Sequence, residues 1–409
     1  MNIEATEYKL QSLVTGELFE DTGWLLDAPN QEKPGLIRAI YKHKQINPKD
    51  SSYGIYRFAD WLPVNRMLQG SSAPVTYKSS GLASLLGLKN LYITFSGYWP
   101  EIGAMMTTCS FKETEAYSVC ARMDPKQSKV LVVASAGNTA RAFAKVCSDN
   151  NIPLLLCVPE DNLNALWFEE PLNDCVKLFV TRSGSDYSDA IHLSHVACQC
   201  KGFIAEGGAK NVARRDGMGT TMLSATTHIG TIPDYYFQAI GSGTGAIAAW
   251  EANLRLIEDG RFGNNLMKLI VSQNHPFVPI KNAWKANSRK MLPFDDDTAR
   301  KEVEIIDAPI GRYLDSSTTY TFVIRIPDSL AVGFYNDING TDITYRCQDN
   351  TGDLPPYGAD GDYEGGVDSG TKTDDGTYTF KFTPATGDLY LIDNYSGNSF
   401  QTLLEYIVE

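Results

Sequence analysis

No apolar run in this sequence reaches the roughly 18 residues that a membrane-spanning helix needs. The N-terminus also lacks the charged-then-apolar layout of a signal peptide. Positive charge is in short supply: 36 Lys and Arg stand against 49 Asp and Glu, a net charge of -13. That balance speaks against nucleic-acid or membrane-surface binding, but it leaves room for small anions held by a local basic cluster. Cysteine pairs are missing too. The eight cysteines fall at 109, 120, 147, 157, 175, 198, 200 and 347, and none forms Cys-x-x-Cys. Cys198 and Cys200 alone are too few for a structural zinc site, and no cysteine precedes Cys109. No metal is expected. A reduced, cytoplasmic protein is the simplest reading.

What is present is a chain of 409 residues, 43% hydrophobic, long enough for two or three domains. Residues 1 to about 60 are mixed and polar. Short strands are expected at 75–78 and 91–95, with a short helix at 80–87 closed by Gly87. From residue 130 the pattern becomes strand then helix, repeatedly. Val130-Leu131-Val132-Val133-Ala134 is an all-apolar run, as in a strand buried on both faces. Helix is expected over 139–149, strand over 153–158, helix near 163–167, strand over 176–180 and helix over 187–198. A second set follows, with helices at 218–229 and 244–258 and strands at 235–240 and 266–271. Such alternation implies right-handed crossovers and a parallel sheet.

Beyond about residue 300 the texture changes. Residues 319–326 and 377–382 alternate with period two, and 389–392 reads as a further strand, which suggests an antiparallel region. Asp360 to Gly365 opens like an EF-hand loop, but Thr371 stands where that loop needs its bidentate glutamate, so a solvated turn is expected. The expected division is a large domain from 1–114 and 206–300, a small α/β domain at 115–205, and a β-rich region at 301–409.

Three stretches carry chemistry. In the first, Lys112 opens a helix, with Ser110 as N-cap and Glu113 three residues on, the spacing of a capping box. A lysine on a rigid element near a helix N-terminus has a cheaper neutral amine and can attack a carbonyl. In the second, Ser135-Ala136-Gly137-Asn138-Thr139 joins a buried strand to a helix. Its backbone N–H groups suit a carboxylate, although Asn138 or Thr139 could instead simply cap the helix. In the third, Gly241-Ser242-Gly243-Thr244-Gly245 again lies between strand and helix and makes a nest of N–H donors for a phosphate. It has no P-loop lysine and does not fit Gly-x-Gly-x-x-Gly, so the phosphate of a tightly held cofactor is the better match.

The order of these motifs resembles the fold-type II pyridoxal-phosphate enzymes, the group of threonine synthase and tryptophan synthase β. Within that group it is most similar to the cysteate synthases. The resemblance runs over about residues 50–290. It includes Asp60 to Asn65, Gly97 to Glu101, Thr108 to Glu113, Val132 to Phe143, Glu206 to Gly219, Tyr236 to Ala239, Gly241 to Gly263 and Gln273 to Pro279.

The resemblance implies pyridoxal 5'-phosphate as cofactor, bound to Lys112 through a Schiff base, with Lys112 also the base. Asn138 would contact the ring, and Gly241, Ser242, Gly243, Thr244 and Gly245 would hold the cofactor phosphate. Ser135, Ala136, Gly137 and Thr139 would bind the substrate carboxylate. The implied reaction converts O-phospho-L-serine and sulfite to L-cysteate and phosphate. Alternatives are a threonine synthase or related phospho-amino-acid enzyme, or a cofactor-binding protein with impaired turnover. The small molecules are the expected partners, with a homo-oligomer left open.

Anionic substrates need cations. Lys210, Arg214 and Arg215 lie together, and Arg141 follows the asparagine loop. Arg214 and Arg215 are the preferred anion binders, against the alternative of a solvated charged face. The family takes a Ser or Thr from its C-terminal part to meet the pyridine nitrogen. Ser396, Ser399 and Thr402 are available, none in a recognisable motif.

Overall fold

Val130–Ala134 is apolar throughout because it is an inner strand of a parallel sheet covered on both faces. A computed structural model describes residues 3–29, 35–135, 137–168, 170–182, 184–185, 187–273, 278–290 and 292, and beyond these the strands at 304–307, 312–314, 320–325, 371–372, 377–382, 389–392 and 407–408. Two compact units divide it, Met1–Ser272 and Gln273–Glu409.

The first unit opens with an antiparallel sheet of β1 (Tyr8–Ser12), β2 (Leu18–Phe19) and β3 (Ile37–Tyr41), in the order β2-β1-β3. A 3-10 stretch, Ser51–Trp61, follows, with the Asp50 carboxylate accepting from the Ser52 N–H at its start. Neither element shows in the mixed, polar texture of residues 1 to about 60. Leu10, Ile37, Ala39, Phe58 and Trp61 nevertheless form a buried core with residues far along the chain, Met222, Leu223, Ala249 and Leu256 among them. Next come a hairpin of β4 (Val75–Lys78) and β5 (Tyr92–Phe95) around α1 (Ser80–Leu85), and a small ribbon of β6 (Tyr98–Trp99) and β7 (Ala104–Met105).

Helix α2 (Lys112–Arg122) is buried from Glu113 to Arg122, charged residues included. Beyond it lies the parallel sheet of β8 (Val130–Ala134), β9 (Leu154–Val158), β10 (Val176–Val180) and β11 (Phe203–Ala205), with α3 (Asn138–Asp149) after β8 and α4 (Tyr187–Ala197) after β10. On one face Leu131, Val133, Leu154 and Leu156 meet Phe143 of α3 and Tyr117 of α2. On the other, Val132, Leu155 and Cys157 meet Ala190 and Ala197 of α4. The segment read as helix near 163–167 is instead a 3-10 turn, Glu160–Ala165.

The strand order is β10-β9-β8-β11. The chain therefore runs outward from β8 and returns on its other side, so the order reverses between β8 and β11. Open parallel sheets bind ligands at the carboxyl ends of strands flanking such a reversal. Here those ends lead into Ser135 and Glu206.

Helix α5 (Val212–Ile229) starts six residues before its expected start, because Asn211 caps it by accepting from the Ala213 N–H at 3.0 Å. It packs against both α2 and α6 (Thr244–Asp259). Two glycines set these approaches. A Cβ on Gly217 would stand 2.5 Å from the Thr114 carbonyl oxygen of α2, and one on Gly219 would stand 3.3 Å from the Ala248 oxygen of α6. Strands β12 (Tyr235–Ala239) and β13 (Lys268–Ser272) pair in parallel around α6.

In the second unit a helix spans Pro279–Lys285, and the described strands pair antiparallel, as the period-two alternation suggested. Tyr320–Arg325 lies against Thr377–Phe382, and Leu389–Ile392 against Arg312–Leu314. The EF-hand-like run at 360–365 and Ser396, Ser399 and Thr402 lie outside the described residues.

Candidate active site

Lys112 is the first residue of α2, and the turn that delivers it is tight, with Cys109 at φ 53°. The Ser110 hydroxyl accepts from the Lys112 N–H at 3.2 Å, but the expected capping box is not made: the cap position is Phe111, and the Glu113 N–H donates to the Ser110 carbonyl. Glu113 turns back further and accepts from the Thr108 N–H at 3.0 Å and the Thr108 hydroxyl at 2.7 Å. This fixes the loop rather than the cap. The Lys112 side chain is 21% exposed, and its Nζ lies 3.6 Å from Glu115 Oε2. Burial lowers the Lys112 pKa, while the Glu115 charge works in the opposite direction. Glu115 is fully buried and its pKa is raised by that burial, although Arg214 and Lys112 both oppose the rise.

The loop after β8 is tied to this lysine. The Thr139 hydroxyl donates to Glu115 Oε1 at 3.1 Å, so one carboxylate joins the start of α3 to the start of α2. Ser135 is buried and its hydroxyl accepts from the Gly137 N–H at 3.4 Å. Neither Asn138 nor Thr139 caps the helix: the cap position is Gly137, which carries no side chain. Asn138 is exposed, and its amide makes no hydrogen bond to another described residue. Ala136 lies outside the described residues.

The loop after β12 has the form expected of an anion cradle. Gly243 adopts φ 80° and leads into α6. Open space surrounds the positions where Gly241 and Gly243 would carry a Cβ. The Ser242 and Thr244 hydroxyls lie 2.9 Å apart. A Cβ on Gly245 would run into the Gln238 side-chain amide, whose Oε1 is buried with no hydrogen-bond partner among the described residues.

The pyridoxal-phosphate dependent enzyme family matches residues 101–316. The chain belongs to that family. The matched stretch contains Lys112, the asparagine loop and the glycine loop. The cysteate synthase of Methanocella paludicola is 52% identical over 273 residues, 66% of this chain and 64% of that protein. The cysteate synthase of Methanosarcina mazei is 46% identical over 312 residues, 75% of this chain and 71% of that protein. This chain thus spans less than two thirds of the Methanocella protein's length.

The fold is α/β of the fold-type II class, with parallel sheets, and the cofactor is pyridoxal 5'-phosphate. The residues present fit that group. A partly buried amine with a lowered pKa is available at Lys112, an uncommitted amide at Asn138, and a glycine nest with open space at 241–245.

The two preferred anion binders part company in the structure. Arg215 is fully buried, paired to Glu251 at 3.0 Å, and donates to the carbonyls of Ala209 and Ile37. It faces neither solvent nor the lysine but braces β3 against α6, so its expected place in substrate binding is corrected. The solvated-face alternative fails as well. Arg214 does sit by the lysine, but between two carboxylates: Nε lies 3.1 Å from Glu115 and Nη1 2.6 Å from Glu206. Burial disfavours its charge, yet Glu206 and Glu115 together hold its pKa above the ordinary range. Its charge is therefore balanced from within the protein. Lys210 turns away to Asp27 at 2.8 Å.

Sequence reasoning passed over Glu115 and Glu206, the two acids that organise these cations. The i,i+3 spacing of Lys112 and Glu115 was the available signal. Glu206 could be placed only once the strand order was known.

Proposed function

We propose that this chain converts O-phospho-L-serine and sulfite to L-cysteate and phosphate. The carrying observation is the position of Lys112: a partly buried amine at the head of a buried helix, paired with Glu115, inside the stretch that matches the family. The similarity to proteins named cysteate synthase supports the choice of substrates.

When bound, pyridoxal phosphate supplies an electron sink for the substrate α-carbon. The protein's own residues do the rest. The glycine nest at Gly241, Ser242, Gly243, Thr244 and Gly245 holds the cofactor phosphate, and Asn138 orients the ring. Backbone N–H groups of the 135–139 loop hold the substrate carboxylate. Lys112, its neutral form made accessible by burial, takes the α-proton on Nζ. The Cβ–O bond then breaks with its electron pair leaving on phosphate, sulfite forms the Cβ–S bond from its sulfur lone pair, and Nζ returns the proton to the α-carbon. In this reading the small domain is 115–205, the large domain is 1–114 with 206–300, and the protein works in the cytoplasm, where self-association into a homo-oligomer is compatible with the site.

The test is direct. Protein loaded with pyridoxal phosphate, given phosphoserine and sulfite, should release phosphate and cysteate in equal amounts, and Lys112→Ala should release neither. Formation of threonine from phosphohomoserine with sulfite ignored would overturn the assignment.

A further inference from the structure

With Arg214 and Arg215 committed to carboxylates, the site needs another cation for a phosphorylated substrate, and among the buried arginines of the described residues one carries no ion pair. Arg122 pairs with Asp21 at 2.8 Å, Arg214 with Glu206 at 2.6 Å, Arg215 with Glu251 at 3.0 Å and Arg255 with Asp216 at 2.6 Å. Arg141 is buried as they are, 8% exposed, but has no carboxylate within ion-pair distance among the described residues. Its guanidinium instead lies 3.6 Å from the centre of the Trp167 ring, and Nε donates to the Trp167 carbonyl at 3.3 Å. A buried cation without a counter-charge is costly, and stacking offsets only part of that cost.

Its place in the helix adds to the imbalance. Arg141 lies three residues after Asn138, so the two share a face of α3 about one turn apart. The positive end of the helix dipole is there, the first turn holds no acidic residue, and burial lowers the Arg141 pKa, although Cys109 and Glu113, beside Lys112, oppose that more weakly. Every local contribution from α3 opposes a cation at this point. The stack on Trp167 and the bond from Nε fix the guanidinium plane and leave both terminal nitrogens without a hydrogen bond to a described residue. A fork held in that way suits an oxyanion with two or more oxygens.

We propose that Arg141, braced by Trp167, binds the phosphoryl group of the amino-acid substrate and selects phosphorylated over free hydroxyl side chains. The proposal rests on the phosphoserine reading for its choice of substrate, but the anion site itself can be tested without turnover. In cofactor-loaded protein, inorganic phosphate should change tryptophan fluorescence in a saturable way. Trp167→Phe should remove that change, and Arg141→Gln should remove it while leaving the circular dichroism spectrum native. Arg141→Lys keeps the charge but loses the fork and should bind phosphate with intermediate strength. In turnover, Arg141→Gln should raise KM for phosphoserine about 10- to 100-fold, the loss of a charge-assisted contact. If the wild type binds phosphate through Arg141 but makes no cysteate, the site stands and the assigned reaction fails. Saturable phosphate binding in natively folded Arg141→Gln equal to that of the wild type, or a KM for phosphoserine within twofold of it, would overturn the proposal.

Discussion

Glu115 Oε2 lies 3.6 Å from Lys112 Nζ and 3.1 Å from Arg214 Nε, so one buried oxygen serves two cations from two helices. The lysine thereby keeps a counter-charge in a place where burial lowers its pKa. When Lys112 gives up its charge, Arg214 remains to neutralise the carboxylate.

This arrangement makes the amine's proton affinity depend on Glu115. Burial lowers the Lys112 pKa and Glu115 raises it, so Glu115→Gln should lower it further. Loss of a charge this close is worth about one unit or more. In cofactor-free protein, acylation of Lys112 followed by mass spectrometry should therefore set in at lower pH in the variant. An unmoved onset, or one shifted to higher pH, would show that Glu115 only supports the fold.

The placement of much of this candidate site could be read from the sequence, and the reason is local. Lys112, Gly137, Asn138 and the 241–245 loop each lie at a strand-to-helix or loop-to-helix junction, where residue type and neighbours already define the chemistry. Partnership over distance could not be read that way. Arg214 and Arg215 are adjacent in sequence, yet successive helical residues point about 100° apart. One meets Glu206 and the other Glu251. Residues 1 to about 60 read only as mixed and polar, because the apolar partners of their buried residues, such as Met222 and Leu256, lie some two hundred residues away. α2 shows little amphipathic patterning because it is buried all round, with Glu113, Glu115 and Arg122 meeting Thr108, Arg214 and Asp21.

Arg215 offers a separate test of the corrected assignment. Arg215→Met leaves Glu251 buried without its partner and should cost about 3–5 kcal/mol of stability, seen as a lower denaturant midpoint. Replacing both, as Arg215→Met with Glu251→Leu, should recover much of that loss, because the uncompensated charge is gone. The double variant should keep the wild-type KM for phosphoserine. A stable double variant with a sharply raised KM would return Arg215 to the substrate site.

The two helix crossings make the last test, because they carry the two halves of the proposed cofactor site. At Gly217 a Cβ would meet the Thr114 carbonyl at 2.5 Å and the Ser118 Cβ at 2.8 Å, and backbone on a buried helix cannot step aside. At Gly219 the nearest atom is the Ala248 oxygen at 3.3 Å, a contact that a shift of a few tenths of an ångström relieves. Alanine also gains about 0.5–1 kcal/mol over glycine in a helix interior, which acts equally at both positions. For Gly219→Ala that gain should roughly cancel the crowding. For Gly217→Ala the clash should win, with a net loss of about 1–3 kcal/mol as α5 is forced away from α2. Since α2 begins with Lys112 and α5 carries Arg214, the same displacement should loosen the lysine's ion network and weaken cofactor retention on dialysis. Gly219→Ala should retain the cofactor normally. Urea midpoints that fall in the opposite order would mean that the α2–α5 contact is looser than these distances require.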